Sequence, residues 1–142
     1  MVAMKKQWLC LGLTVLLCGC GGKTVTKEGT GTYTNDNGEK TTAKVKLKND
    51  KIAEVEIDET AKGKDKTKKE LGADYNMKQA SPIKKEWNEQ IAYFEKYVEK
   101  HGIDKIKVNK EGKAENNDVR SGCTISVDGF IKAIEDAKKN AK

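Results

Sequence analysis

One proline, one arginine and one histidine occur in 142 residues, and aromatic side chains make up only 6%. Each scarcity excludes something. A zinc site would need more nitrogen or sulfur ligands than His101 and one spare cysteine supply. A Cys123–His101 dyad has no support beyond spacing. No G-x-G-x-x-G or Walker pattern is present. The lone guanidinium is Arg120, and the lysines lie dispersed among glutamates as on a solvated surface. A nucleic-acid groove would favour arginine and interleaved aromatics, so no nucleic-acid partner is expected. With 35% charged residues the core is modest, near the lower end of what folds unaided. Neither an internal repeat nor a second domain is evident.

The longest apolar run, Trp8 to Cys18, is too short for a stable transmembrane helix. It follows the short positive stretch Lys5-Lys6, as in a secretory signal. Its end, Leu17-Cys18-Gly19-Cys20, resembles the lipobox of bacterial lipoproteins. That resemblance implies a signal peptide over 1–19, lipid attachment at Cys20 and a flexible tether over 20–28. Two acyl chains on Cys20 suffice for stable anchoring, so the membrane lipid itself is a partner. The expected location is the extracytoplasmic face of the cell membrane. Loss of Lys5 and Lys6 brings the formal charge from +6 to +4. Cys10 and Cys18 leave with the signal and Cys20 carries the lipid. Cys123 then stands alone without a disulfide partner, and packing suits it better than reactivity.

Residues 29–142 read as one domain. The stretch GTGTYTNDNGEKTTAKVKLKNDKIAEVEIDE predicts three short antiparallel strands. Ala43, Val45 and Leu47 alternate with lysines, and Ala53, Val55 and Ile57 with acids. A common apolar face predicts Val45 opposite Val55, Leu47 opposite Ala53 and a three-residue loop, Asn49-Asp50-Lys51. Glu54, Glu56 and Asp58 share the wet face. KGKDKTKK (62–69) reads as an exposed, mobile connection, and KKELGADYNMKQA as short helix or irregular chain. A long helix is expected from Ser81-Pro82, with Ile83, Trp87, Ile91, Phe94 and Val98 on one stripe and Gly102 at its end. A strand over IDKIKVN (103–109) and a final helix burying Phe130, Ile134 and Ala137 follow, with Ser126 or Asp128 as cap. The expected class is α+β: a small antiparallel sheet covered by one long amphipathic helix and a C-terminal helix.

The stretch DVRSGCTISVDGF (118–130) combines Asp118, Ser121, Gly122 and Thr124 ahead of that last helix. Glycine lets another molecule approach the backbone closely, and a hydroxyl follows two residues later. The same residues also serve as punctuation at a helix entry.

Beyond these residues, the chain resembles the FMN-binding domains of small bacterial lipoproteins. Those include flavoproteins of extracellular electron transfer in Gram-positive bacteria. The resemblance rests on the early G-T-Y, the hairpin, LGADYNMKQASPIKKEWNEQ and a closing D-x-x-S-G-x-T motif, from about Gly29 to the C-terminus. It implies covalent FMN on Thr124 through a phosphoester, installed by a separate flavin transferase that uses FAD as donor. Asp118, Ser121 and Gly122 are the implied recognition residues. Cys123 departs from a position that is more often alanine, and Asn76-Met77 from an expected Gly-Met. Arg120 is a candidate partner for the flavin phosphate, and Tyr75, Met77 and Trp87 are candidate neighbours of the flavin ring.

The reading is a membrane-anchored flavoprotein that relays electrons from a quinol-linked or flavoprotein donor, a carrier more than a self-sufficient reductase. No catalytic residue is assigned, and no metal. The alternative is a non-redox surface lipoprotein with the same fold and no flavin. If Cys20 is the anchor, Cys20→Ala should move the exported protein from the detergent to the aqueous phase in Triton X-114 partitioning. A variant that still entered the detergent phase would count against a lipid on Cys20.

Overall fold

The computed structural model describes residues 22–142. The expected signal peptide and the expected lipid attachment at Cys20 lie outside the described residues. Three strands, β1 (Thr26–Thr34), β2 (Lys40–Lys48) and β3 (Lys51–Glu59), form an antiparallel meander in the order β1-β2-β3. Strand β1 begins within the stretch read as tether. A short helix α1 (Lys68–Leu71) runs into a 3-10 turn over Gly72–Tyr75. Helices α2 (Trp87–His101), α3 (Asn117–Arg120) and α4 (Asp128–Asn140) follow. The class is α+β, as expected. No helix among the described residues is long and apolar enough to cross a membrane.

Strand pairing differs from the sequence reading at one end of the hairpin. Val45 does lie opposite Val55, but Lys48 pairs with Lys51 and Leu47 with Ile52. The connection is therefore a two-residue turn, Asn49-Asp50, with φ of 50° and 62°. Both residue types tolerate the left-handed region that such a turn requires. The extra residue, Ala53, is absorbed as an irregularity opposite Lys46 and Leu47. That bulge keeps Leu47, Val55 and Ile57 buried together.

The C-terminal helix does most of the covering. Helix α4 lies against β1 and β2, and it comes close because the inward positions of β1 include Gly29 and Gly31. A methyl group at Gly31 would collide with the backbone of Ala133, Asp136 and Ala137, and one at Gly29 with that of Ala137 and Ala141. The inward side of α4 supplies Phe130, Ala133, Ile134 and Ala137, each at most 3% exposed. Its cap position is Val127, not Ser126 or Asp128, and no side chain caps it. Asp128 sits instead in the first turn, where a carboxylate suits the helix dipole.

Helix α2 runs along β3 and closes the core through aromatic contacts. Trp87 meets Phe130 edge-on with centroids 6.0 Å apart, and Phe94 lies 5.9 Å from the same ring. The helix starts at Trp87, later than expected, because Lys84 adopts φ 53° and interrupts any helical run from Ser81. Glu86 caps it, in a reciprocal capping box with Glu89. Ile83 is left outside the helix and half-buried.

The free strand edges are occupied by helix side chains. On β3, Ile57 donates its N–H to Glu95 at 2.7 Å and Val55 donates to Glu99 at 3.2 Å. On β1, Thr32 donates to Asp136 at 2.9 Å, and Asn140 donates to the Thr30 carbonyl at 3.0 Å. Glu28 and Lys142 exchange backbone bonds at 3.1 and 3.2 Å. The expected strand over 103–109 consequently has no edge to join. It is irregular chain with an isolated bridge between Val108 and Ala114, and only Ile103 of it is buried.

Because the α4–β1 contact is backbone against backbone, no side-chain rearrangement relieves a methyl group at Gly31. Gly31→Ala should lower stability by about 3 kcal/mol, at the upper end of overpacking costs, read as a lower chemical-denaturation midpoint. An unchanged midpoint would mean that α4 sits farther from β1 than described.

Candidate functional site

The loop singled out by the sequence is held against α2 by two tyrosines. The Tyr93 hydroxyl donates to the Asp118 carbonyl at 2.6 Å and lies 2.9 Å from the Ser121 hydroxyl. Ser121 donates to that same carbonyl at 2.7 Å. The Tyr97 hydroxyl donates to the Asp118 carboxylate at 3.0 Å, and that carboxylate also takes the Val119 N–H. Gly122 lies under the Tyr93 ring, where any Cβ would run into the ring carbons. The structure thus brings Asp118, Ser121 and Gly122 together as the frame of the loop. Cys123 is fully buried, and burial pushes its thiol up to about 12. It is packed and inert, and its smallness is what the position uses.

Thr124 follows directly, and its partner is a residue the sequence reading did not single out. Gln90 is fully buried inside α2. Its carbonyl oxygen accepts the Thr124 N–H at 2.9 Å and the Thr124 hydroxyl at 3.3 Å. Its amide donates to Ser81 at 3.2 Å and to the Lys85 carbonyl at 3.1 Å. With both ends of the amide engaged, Gln90 has one orientation, and Thr124 is fixed by it. The signal was present in the sequence: a glutamine between Trp87 and Ile91, Phe94 stands on the stripe that goes inward. A buried polar side chain needs partners.

Thr124 stands at the junction of two depressions. The larger has a volume of about 660 Å³ and is walled in part by Tyr33, Met77, Trp87, Ile125 and Phe130. The smaller, about 590 Å³, places Arg120 beside the same threonine together with Glu111, Glu115 and Lys113, and Lys113 is paired with Glu111 at 3.1 Å. Arg120 is exposed and makes no ion pair among the described residues. Trp87 has both jobs considered for it, since it is 1% exposed in the core yet contributes to the cavity wall. Tyr75 stands behind the wall, its ring 5.2 Å from the Lys68 ammonium. Asn76 has φ 58°, the left-handed region that favours glycine and admits asparagine. The Asn-for-Gly departure therefore preserves the backbone that presents Met77.

The run 62–69 is not wholly the exposed connection it resembles in sequence. Lys68 is only 5% exposed, with its ammonium at the carboxylates of Glu59 and Glu39, the latter at 3.1 Å. Thr67 starts α1 with a capping box to Glu70, which aims Lys68 inward. The Thr41 hydroxyl donates to the other Glu59 oxygen at 2.6 Å. Lys69 is paired as well, with Glu95 at 2.6 Å. Only Lys62, Lys64 and Lys66 of the run's lysines remain solvated.

Together these elements define an α+β cavity domain that offers a fixed threonine hydroxyl between a partly aromatic-walled cleft and a depression that holds Arg120. The chain belongs to the FMN-binding domain family, whose model matches residues 37–139. It is accordingly a flavin-binding protein, with FMN as the cofactor. No curated protein matches the chain. A solution NMR structure of a protein from Clostridium thermocellum is similar at 20% identity and a TM-score of 0.48. That match covers 83% of this chain and 92% of the other. The cavity suits the group: its volume accommodates a three-ring system, Tyr33, Met77, Trp87, Ile125 and Phe130 give its mixed wall an aromatic and apolar part, and Arg120 lies in the depression beyond Thr124.

Gln90→Leu removes the acceptor for two Thr124 donors and strands Ser81. It should cost about 2 kcal/mol of stability, as for buried groups left unpaired, in urea unfolding. Gln90→Glu keeps an acceptor oxygen but loses both amide donors and buries a charge, so it should cost more. Equal losses would show that side-chain volume and not the hydrogen bond is what matters there.

Proposed function

We propose that this protein carries FMN covalently on Thr124 and relays electrons at the extracytoplasmic face of the cell membrane, held there by lipid on Cys20. The observation that supports this reading best is the position of Thr124. Among the residues that line both the larger cavity and the Arg120 depression, it alone carries a hydroxyl. A phosphoester at that oxygen would have Arg120 on one side and a ring-sized cleft on the other. The D-x-x-S-G-x-T motif around it is the pattern that the family resemblance assigns to a flavin transferase.

Each residue then has a defined part. Gln90 holds the Thr124 backbone and orients its hydroxyl. Tyr93 and Tyr97 brace Asp118 and Ser121, so the transferase meets a preformed loop. Arg120, without an ion pair among the described residues, would offset the phosphate charge, and its guanidinium fork suits two phosphate oxygens. Met77, Trp87 and Phe130 shield one side of the ring from water. FMN when bound supplies one- and two-electron transfer, and the protein has only to hold and tune it. Covalent attachment prevents loss of the cofactor by dilution outside the cell. The lipid keeps the carrier close to its redox partners, a quinol-linked or flavoprotein donor among them. A separate reductase domain is not required for such a role.

Intact mass of the chain co-expressed with a flavin transferase, beside Thr124→Ala, tests this. The expected result is a gain of one FMN less water in the parent and none in the variant. Arg120→Ala should load more slowly or shift the potential of the bound flavin. An unmodified parent, with the transferase active on a control substrate, would leave a non-redox binding lipoprotein as the reading. Unchanged loading and potential in Arg120→Ala would remove the phosphate pairing alone.

A further inference from the structure

The charge cluster at Lys68 is larger than the fold needs to pin α1, and it faces the cavity. Lys68, Glu39, Glu59 and Thr41 all border the same space as Thr124. Glu59 has a donor on each oxygen, the Lys68 ammonium on one and the Thr41 hydroxyl on the other, as a carboxylate requires. Burial alone would raise the Glu39 carboxyl. Hydrogen bonds from Asn35 and Lys68, with the Lys68 charge, bring it below its ordinary value. Burial likewise opposes the Lys68 charge, yet bonding to Glu59 and its charge hold the amine above the usual lysine value. The cluster thus brings two carboxylate side chains to one ammonium. Its excess is one negative charge.

Away from bulk water that excess is screened less than on the surface. Reduction brings negative charge into the cavity, and a net negative wall opposes it. From this we infer that the Glu39–Lys68–Glu59 cluster sets the reduction potential of the cofactor, lowering it and making the carrier a stronger reductant. The inference rests on the FMN reading of the cavity. Electrons come from the redox donor and any proton from solvent, so the cluster gains and loses no atoms. Its members act through their field, as tuning residues and not catalytic ones. Glu39 decides the sign, because without its charge the remaining Lys68–Glu59 pair is neutral.

The test is a spectroelectrochemical titration of the flavin-loaded protein at fixed pH, for the parent and Glu39→Gln. The amide keeps an oxygen for Lys68 and removes only the charge. At a fixed applied potential the ratio of reduced to oxidised flavin should rise about tenfold, about 30 mV for a two-electron couple. Glu59→Gln should move it in the same direction, and Glu54→Gln, on the wet face of β3, should not move it. A potential unmoved or lowered in both cluster variants, with normal flavin loading, overturns the inference and leaves the FMN reading standing. A parent chain that takes no flavin overturns both.

Discussion

Contact between the backbone of α4 and the glycines of β1 is the constraint from which the rest of the molecule follows. A three-stranded sheet has too little area to support separate covering layers, so one helix must lie directly on it. Gly29 and Gly31 remove the side chains that would hold α4 away. With α4 seated, Phe130 is driven between Trp87 and Phe94, which sets the position of α2. From α2, Gln90 reaches the backbone of Thr124, and Tyr93 and Tyr97 reach Asp118. The candidate site is therefore tied to the sheet through a short series of close contacts.

Local periodicity made much of this visible in the sequence, while its faults lie where the chain departs from local rules. The three strands, the stripe Trp87-Ile91-Phe94-Val98 and the inward set of α4 are all period-based, and all are present. Alternation could not reveal the bulge at Ala53, because a slipped residue is invisible to a pattern of period two. A serine followed by proline has the chemistry of a helix start, yet Ser81 is engaged by Gln90 and Lys84 breaks the run. The segment 103–109 alternates like a strand, but no edge is open to receive it. In the site, Thr124 and its frame were legible from the motif. Gln90 and the buried Lys68 were not, since each is a polar residue whose partners lie far away in sequence. Lysines in a charged run give no local sign of which one turns inward.

The site also shows how a small domain with few aromatics can present a cofactor. The aromatic wall is shared with the core: Trp87 and Phe130 are packing residues on one side and cavity lining on the other. A deep pocket would have required more core than this chain has. A shallow cleft with a covalent attachment point would hold the same group with less enclosed surface. Under the proposed function, the weak enclosure and the strong bond are two parts of one solution. An open cleft would also leave the flavin edge accessible to a partner, which short-range electron transfer demands.

Sealed strand edges bear on how this protein can meet other molecules. Glu95 and Glu99 on one side, with Asp136, Asn140 and the C-terminal residue on the other, occupy the positions by which sheets join end to end. Copies crowded together on a surface would find no template for strand addition, and neither would a partner seeking to extend the sheet. Encounters are left to side-chain surfaces, chiefly around the cleft mouth. Such contacts would form and release quickly, as the proposed carrier requires when it passes from one partner to the next.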